Sequence, residues 1–411
     1  MARADQDAAP ALADMDLSGK SITLAVTGGI AAYKACEIVR LLTGSGASVR
    51  VAMTQAATRF VGALTFEALS GGPVYVDQFS GGMPHLALGR GCDLLLVAPA
   101  TADILAKAAS GIADDLVSSV ILAAQCPVAF APAMNSAMWE NPATQRNVRT
   151  LAGDGAAILG PASGPLACGT SGSGRMLEPG EIVEHCRCLL SPKPLAGKKV
   201  VVTAGPTYEA IDPVRGITNR SSGKQGYAIA RSARLAGADV TLISGPTALP
   251  CPAGVRRIPV QSAAEMLDAV LGSVKDADIF IAVAAVADWG IENPCAEKIK
   301  KSSGAPEIRF RRNPDILGTV CALGERPALC VGFAAETQDI LRYAQDKLRA
   351  KGADMIVANG ARSAIQSDEN EVIFVTRESA EPFGPAAKER VADRLIERII
   401  QLTERSQEIQ A

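Results

Sequence analysis

The chain has 411 residues, 48% of them hydrophobic and 20% charged, with a formal net charge of −2. That length and apolar content suit two cores, with room for three, and exclude a disordered chain. The slight negative charge and an aromatic content of 4% exclude a bulk cationic field or a set of stacking platforms for nucleic acid.

Residues 1–19 carry acids and a proline but no apolar h-region, so they read as a disordered tail and not a signal peptide. In the first half, strands are predicted at 21–27, 48–53, 93–98, 127–131 and 156–159, and helices at 31–42, 101–110, 115–124, 143–152 and 181–190. A Pro/Gly-bearing linker, 191–197, separates this half from a second that starts at 198 in the same style. There strands are expected at 199–203, 239–243, 278–283, 328–332 and 355–358, and helices at 226–235, 263–271, 314–323, 338–351 and 386–402. Continuous Val/Ile/Leu/Ala strands covered on both faces imply two α/β domains, 20–197 and 198–411, each a doubly wound, Rossmann-like parallel sheet. Ligands then belong at the carboxyl ends of the strands. The apolar run 279–287 is too short to span a bilayer. Ten cysteines without a CxxC pair read as reduced thiols of a cytoplasmic protein.

TGGIAAYK, residues 27–34, follows a strand and opens a helix, where free N–H groups and the helix dipole attract phosphate. A dinucleotide fingerprint requires a third glycine and an acid ending the second strand. Here the second strand ends in Thr54, which favours a mononucleotide such as FMN; purely structural glycines are the alternative. His85 lies in the glycine-rich stretch SGGMPHLALGRG, a loop in this reading, as a base, a charge partner or a structural residue, whereas His185 reads as a surface residue. In APAMNSAMW, residues 131–139, Asn135 can hold a carboxylate or amide, while Met134 and Met138 equally suit core filling. GPLACGTSGSGRM, residues 164–176, is too rich in glycine for a helix or packed strand and reads as a mobile flap. A thiol there, Cys168, has little packing value and therefore points to chemistry.

Taken in order, TGGIAAYK, His85, APATAD, ADDL, APAMNSAMW and ACGTSGSGRM resemble the flavin-dependent cysteine decarboxylase family over about residues 20–190. The resemblance implies FMN contacts at Gly28, Gly29, Ile30, Thr54, Thr101 and Met134. It implies that FMN oxidises the substrate's cysteine thiol to a thioaldehyde, an electron sink that lets CO₂ leave. Cys168 then corresponds to the proton donor to the enethiolate, His85 to the family's essential histidine, and Asn135 to the residue that binds the substrate carboxylate. Asp103 stands where the family has Asn, and Gly91 where many members have Trp.

In the second half, TAGPTYEAIDPVRGITNRSSGKQG, residues 203–226, runs from a strand to a helix start. It is not a P-loop: the first glycine is missing, and Gln225 replaces the magnesium-binding hydroxyl. Its hydroxyls and Lys224 at a helix N-terminus still suit a phosphate chain. AAVADW ends a strand with Asp288. EKIKK follows, with Lys298, Lys300 and Lys301 as a solvated face or as pyrophosphate-binding cations. This half, over about 198–405, resembles phosphopantothenate–cysteine ligase, and the two in this order resemble the bacterial bifunctional proteins of coenzyme A biosynthesis.

The resemblance implies that the carboxylate of 4′-phosphopantothenate attacks the α-phosphate of CTP, and that the amine of L-cysteine displaces CMP from the acyl-cytidylate. Asn219 and Lys298 correspond to the catalytic asparagine and lysine. CTP contacts are implied at Ser221, Ser222, Gly223, Ala282, Val283, Ala284, Asp288, Pro314, Asp315, Ile316, Leu317, Phe333, Lys347 and Lys351. Mg²⁺ is expected with CTP, although no protein cage is visible. Gln225 stands where relatives often carry Met. Family members build the flavin site between subunits and pair the ligase domain, so a homo-oligomer is expected, with neither nucleic acid nor membrane as partner. A flavin-binding regulatory subunit and a nicotinamide-dependent dehydrogenase are the rival readings. Intact candidate residues argue against the first, and the missing glycine and acid against the second.

Overall fold

The computed structural model describes residues 17–79, 81–166, 169, 171–300, 307–336, 338–360 and 367–410, with side chains to 405. Two units are distinguished, Asp14–Ser191 and Pro192–Ala411. Among the described residues no helix is long and apolar enough to cross a membrane.

The first unit runs β1 (Ser21–Val26), α1 (Ala32–Gly44), β2 (Ser48–Met53), α2 (Ala63–Ser70), β3 (Val74–Tyr75), α3 (Pro84–Arg90), β4 (Leu94–Ala100), α4 (Ala102–Ser110), α5 (Leu116–Ala123), β5 (Val128–Pro132), α6 (Ser136–Glu140), α7 (Pro142–Gly153), β6 (Ala157–Ile158), β7 (Ala162–Pro165), β8 (Ser171–Arg175) and α8 (Pro179–Leu190). Its six-stranded sheet has the order β3-β2-β1-β4-β5-β6, with parallel pairing throughout. Alternate strand residues feed cores on opposite faces: Leu24, Leu94 and Leu96 on one, Ala25, Leu95 and Val97 on the other. The strand order reverses between β1 and β4, which opens a crevice at their carboxyl ends. Side-chain caps start the helices around it: Thr101 accepts from the Ile104 N–H, Asn135 from Ala137 and Asn141 from Ala143.

The second unit runs β9 (Lys199–Ala204), β10 (Tyr208–Ala210), β11 (Gly216–Thr218), α9 (Lys224–Leu235), β12 (Asp239–Ser244), β13 (Arg256–Pro259), α10 (Ala263–Ser273), β14 (Ile279–Ala282), β15 (Trp289–Ile291), β16 (Phe310–Arg312), α11 (Ile316–Cys321), β17 (Leu329–Glu336), α12 (Ile340–Lys351), β18 (Met355–Gly360), β19 (Glu369–Val375), β20 (Ala380–Ala387) and α13 (Lys388–Gln410). The main sheet has eight strands in the order β13-β12-β9-β14-β17-β18-β19-β20 and reverses between β9 and β14. Two short antiparallel ribbons, β10/β11 and β15/β16, complete it.

Four expectations are corrected. The glycine-rich stretch read as unable to form a packed strand contributes two antiparallel strands, β7 and β8, because its glycines serve close approach: a Cβ on Gly174 would sit 2.4 Å from the Met134 carbonyl oxygen, and one on Gly172 2.4 Å from Ser136 Oγ. His85 is not in a loop but in the first turn of α3, where Gly89 lets α3 approach the Val120 and Ala123 carbonyls of α5. The strand before Asp288 ends at Ala282, because the backbone then leaves the sheet to be held by Thr203 and Thr207. The second sheet is mixed, because β19 and β20 add in antiparallel fashion and β20 tolerates two prolines at the edge.

Candidate functional site

In the first unit the turn after β1 is tied to the end of β4. The Thr27 hydroxyl donates to the Pro99 carbonyl at 2.6 Å and accepts from the Thr101 N–H at 3.3 Å. Gly28 permits the turn to pack, since a Cβ there would lie 2.4 Å from Ala56 Cβ. Above this turn lies a cavity of about 670 Å³ that brings together Gly28, Gly29, Ile30, Thr101, Met134 and Asn135. Asn135 caps α6, and the Met134 N–H donates to the Gly174 carbonyl at 2.9 Å, so the hairpin forms part of the wall.

Thr54 and His85 do not line this cavity. Thr54 accepts from the Ala57 N–H at 3.1 Å in the turn after β2. Asp103 is exposed and faces Lys107 at 3.5 Å. Gly91 has no space for a larger residue in this arrangement, because a Cβ would meet the Ala87 carbonyl at 2.8 Å. Cys168 lies outside the described residues. Two cationic wall residues were not singled out from the sequence, Lys34 and Arg175. Both pair with Glu178, Lys34 at 3.0 Å. The Lys34 hydrogen bond, then Arg175, outweighs the effect of burial and holds the Glu178 carboxyl below its ordinary range. Lys34 belongs to the TGGIAAYK motif, which was the available signal.

In the second unit two cavities of about 590 Å³ each adjoin at the carboxyl ends of β9, β14 and β17, with Ala284, Val286, Phe333 and Lys347 in both walls. The first gathers Ala282, Ala284, Asp288, Pro314, Asp315, Ile316, Leu317, Phe333, Lys347 and Lys351. The second gathers Asn219, Ser221, Ser222, Gly223 and Val283. The N–H groups of Val283 and Ala284 both donate to Thr203 Oγ1 at 3.2 Å, which fixes the strand-end backbone. Asn219 Nδ2 donates to the Ala285 carbonyl at 2.9 Å, which holds its side chain in the wall of the second cavity.

Lys347 donates to the Phe333 carbonyl at 2.7 Å, and burial pushes its ammonium pKa down. Asp315 caps α11 and pairs with Lys351 at 2.5 Å. Burial pushes the Asp315 carboxyl up, but Lys351, the Gly318 N–H and the charges of Lys351 and Lys347 outweigh it and leave the group below its ordinary value. Lys298 is exposed and lines neither cavity. The next residue, Ile299, is anchored: its N–H donates to Asp212 at 3.2 Å and its carbonyl accepts from Arg215 at 2.7 Å. Among the described residues no cluster of His, Cys, Asp or Glu could by itself hold a metal ion.

Comparison with known proteins agrees with this two-part construction. Residues 11–191 match the Flavoprotein family, and 195–402 match the DNA/pantothenate metabolism flavoprotein C-terminal domain. The chain is 49% identical over 385 residues to the coenzyme A biosynthesis bifunctional protein CoaBC of Vibrio cholerae, covering 92% of this chain and 96% of that one. It is 48% identical over 402 residues to CoaBC of Mycobacterium tuberculosis, covering 93% and 96%. A crystal structure of the C-terminal domain of a CoaBC is 39% identical, covers 52% of this chain and 98% of that chain, and superposes with a TM-score of 0.45. The chain belongs to the CoaBC family of bifunctional coenzyme A biosynthesis enzymes, which join a flavoprotein decarboxylase domain to a ligase domain.

Proposed function

We propose that residues 198–411 ligate 4′-phosphopantothenate to L-cysteine at the expense of CTP, through an acyl-cytidylate, and that residues 20–197 decarboxylate the adduct to 4′-phosphopantetheine with FMN. The observation that carries the ligase reading is the paired cavity, which gathers Asn219 and the expected CTP contacts at the switch point of one sheet, with Lys298 outside it. A free carboxylate is a poor electrophile. Transfer to the α-phosphate gives it a leaving group, and the transition state gains from fixed cations and N–H groups. Lys347 and Lys351 supply such charge in the first cavity, and Asn219, in the wall of the adjoining one, would stabilise the acyl-phosphate. Lys298 is the family's catalytic lysine in this reading, although it lines neither cavity. Mg²⁺ enters on the nucleotide, with Asp288 as a carboxylate in reach of that cavity.

The first-unit cavity fits a flavin: its walls are mainly apolar, with Ile30 62% and Met138 50% exposed, and Gly28, Gly29 and Thr101 add polar groups to the lining. FMN bound there supplies the oxidation of the substrate thiol that makes loss of CO₂ possible. Gly28, Gly29, Ile30, Thr101 and Met134 would hold it, Asn135 would orient the substrate carboxylate, and Cys168 would deliver the proton. His85 lies on α3, outside this cavity, and Ile30 and Met138 are exposed at it. Both features support a homo-oligomer in which His85 serves the site of another copy.

The test of the ligase assignment is release of pyrophosphate and CMP from CTP in the presence of 4′-phosphopantothenate and cysteine. Equal turnover with ATP, or release without 4′-phosphopantothenate, contradicts it.

A further inference from the structure

One pair of side chains in the first unit has no use in either reaction. Cys92 lies between α3 and β4, and Cys126 between α5 and β5. β4 and β5 are parallel neighbours, so both thiols lie at the amino ends of the strands, away from the flavin cavity at the carboxyl ends. Their Sγ atoms are 3.1 Å apart. A disulfide needs about 2.0 Å, so an approach of about 1 Å, shared between the two side chains, closes the bond.

The backbone holds the two thiols face to face. The Leu95 N–H donates to the Pro127 carbonyl at 3.0 Å, and the Gln125 N–H to the Gly89 carbonyl at 3.1 Å. The Cys92 thiol donates to the Leu88 carbonyl at 3.2 Å. Arg50, on β2, closes the end of α3: its guanidinium donates to the Ala87 carbonyl at 2.9 Å and to the Gly91 carbonyl. Gly91 makes room for it, since a Cβ there would lie 3.1 Å from Arg50 Nη2. Arg50 Nε is buried without a hydrogen-bond partner among the described residues. A cation with an unused donor is thereby set against the residue that precedes Cys92.

The two thiols are not equivalent. The Cys126 hydrogen bond, against burial, and then Thr23 and the charge of Arg50 hold the Cys92 thiol below its ordinary range. The Cys92 hydrogen bond and burial push the Cys126 thiol up. One sulfur is disposed to be the thiolate and the other to keep its proton, which is the difference between an attacking and a resolving thiol. Both are half-buried, and Cys126 lies in the wall of a cavity of about 330 Å³, wide enough for a small oxidant.

We propose that Cys92 and Cys126 form a redox modification site, a dithiol that hydrogen peroxide converts to a reversible disulfide joining the starts of β4 and β5. The Cys92 thiolate attacks one peroxide oxygen. An S–O bond forms, the O–O bond breaks, and its electron pair leaves on the other oxygen, which takes up the proton released by Cys92 and departs as water. Cys92 is then a sulfenic acid. The Cys126 sulfur attacks the Cys92 sulfur: the S–S bond forms, the S–O bond breaks, and hydroxide leaves and takes the Cys126 proton as a second water. Two thiols lose two electrons and one peroxide gains them. A dithiol reductant reverses the bond by two exchanges. The closed loop has its ends 34 positions apart and holds β4, α4 and α5, so the bond restricts the unfolded chain and clamps the first unit.

The test is treatment of the full-length protein, with flavin bound, with hydrogen peroxide, followed by alkylation, non-reducing digestion and peptide mass spectrometry. A Cys92–Cys126 cross-link is expected before any change at Cys251 or Cys295, which are exposed. Dithiothreitol should release it. The cross-linked protein should melt about 5–10 °C above the reduced one. Cys126→Ser should stop the reaction at a Cys92 sulfenic acid, trapped by dimedone, whereas Cys92→Ser should leave Cys126 unmodified at the same dose. Oxidation of Cys251 or Cys295 first, with both thiols of the pair still free to alkylate, overturns the proposal, because exposure alone then sets reactivity. Equal dimedone trapping on Cys126 in Cys92→Ser overturns the attacking and resolving roles. A cross-link that lowers the melting temperature overturns the clamp. The wild-type map needs no variant, so the proposal stays refutable even if a substitution fails to fold.

Discussion

Gly223→Ala is the perturbation whose cost can be worked out most directly. Gly223 caps α9 in the left-handed region, φ +79°, and a Cβ there would lie 2.8 Å from Thr247 Cγ2. The backbone conformation alone costs an L-residue about 1–2 kcal/mol. The overlap adds about 1–3 kcal/mol if Thr247 stays in place, and Thr247 is held by hydrogen bonds to the Tyr227 hydroxyl and the Leu249 N–H at 3.1 and 3.3 Å. A total of about 2–5 kcal/mol exceeds what a surface turn normally absorbs, so the Ser221–Lys224 turn should move. If half of that is lost from nucleotide binding, kcat/KM for CTP falls about 5–60-fold. Gly197→Ala is the control: φ is +76°, but nothing lies within 4 Å of its Cβ. It should cost about 1 kcal/mol of stability and leave ligase kinetics within about twofold. Adding Thr247→Ser to Gly223→Ala removes the clashing methyl, keeps the hydroxyl, and should recover about two- to tenfold. Steady-state ligase assays on the four proteins decide it. Wild-type kinetics in Gly223→Ala, or no recovery in the double variant, refutes the reasoning.

Gly174→Ala should push the hairpin off Met134, since its Cβ would meet that carbonyl at 2.4 Å at φ +125°. Decarboxylation of the preformed adduct should drop by an order of magnitude or more, with the ligase assay unchanged. Cys168→Ser should retain FMN and still release CO₂ but stall before the reduced product; normal turnover sinks the proton-donor role. Asp393 on α13 is pushed up to about 6, mainly by burial, with only partial relief from Ser232, Arg231 and Arg390. A carboxyl whose folded pKa is raised binds its proton more tightly when folded, so it lowers stability as pH rises from about 4 to about 6. Asp393→Asn should therefore unfold at a higher Tm than wild type at pH 8 and show no advantage at pH 4, as read by thermal melts of the full chain.

The strands that carry both sheets were legible because SITLAV and KVVVTA are buried on both faces, which leaves a continuous apolar run as the only workable composition. The turns after β1 and β9 were legible for a related reason, since glycines, hydroxyls and a following helix leave few other uses. What misled was glycine read as looseness. In β8 and α3 it marks places where two backbones touch, and close approach leaves the same mark in a sequence as flexibility. The antiparallel pair β19 and β20 was hidden because one strand alternates exposed and buried residues and the other carries prolines. Lys388 and Asn370, in the wall of the second ligase cavity, were invisible for a third reason: each reaches it from the start of a separate element, with no local motif around it. His85 and Lys298 line none of the cavities that gather the other candidate residues.

The central claim is that one chain performs ligation and decarboxylation in sequence. Mass spectrometry of the products formed by the purified protein from 4′-phosphopantothenate, cysteine and CTP tests it most directly. The account predicts 4′-phosphopantetheine and CMP, with both lost when CTP is omitted. Accumulation of the phosphopantothenoyl-cysteine adduct alone contradicts the decarboxylase half, and absence of any product while the protein holds flavin contradicts the whole.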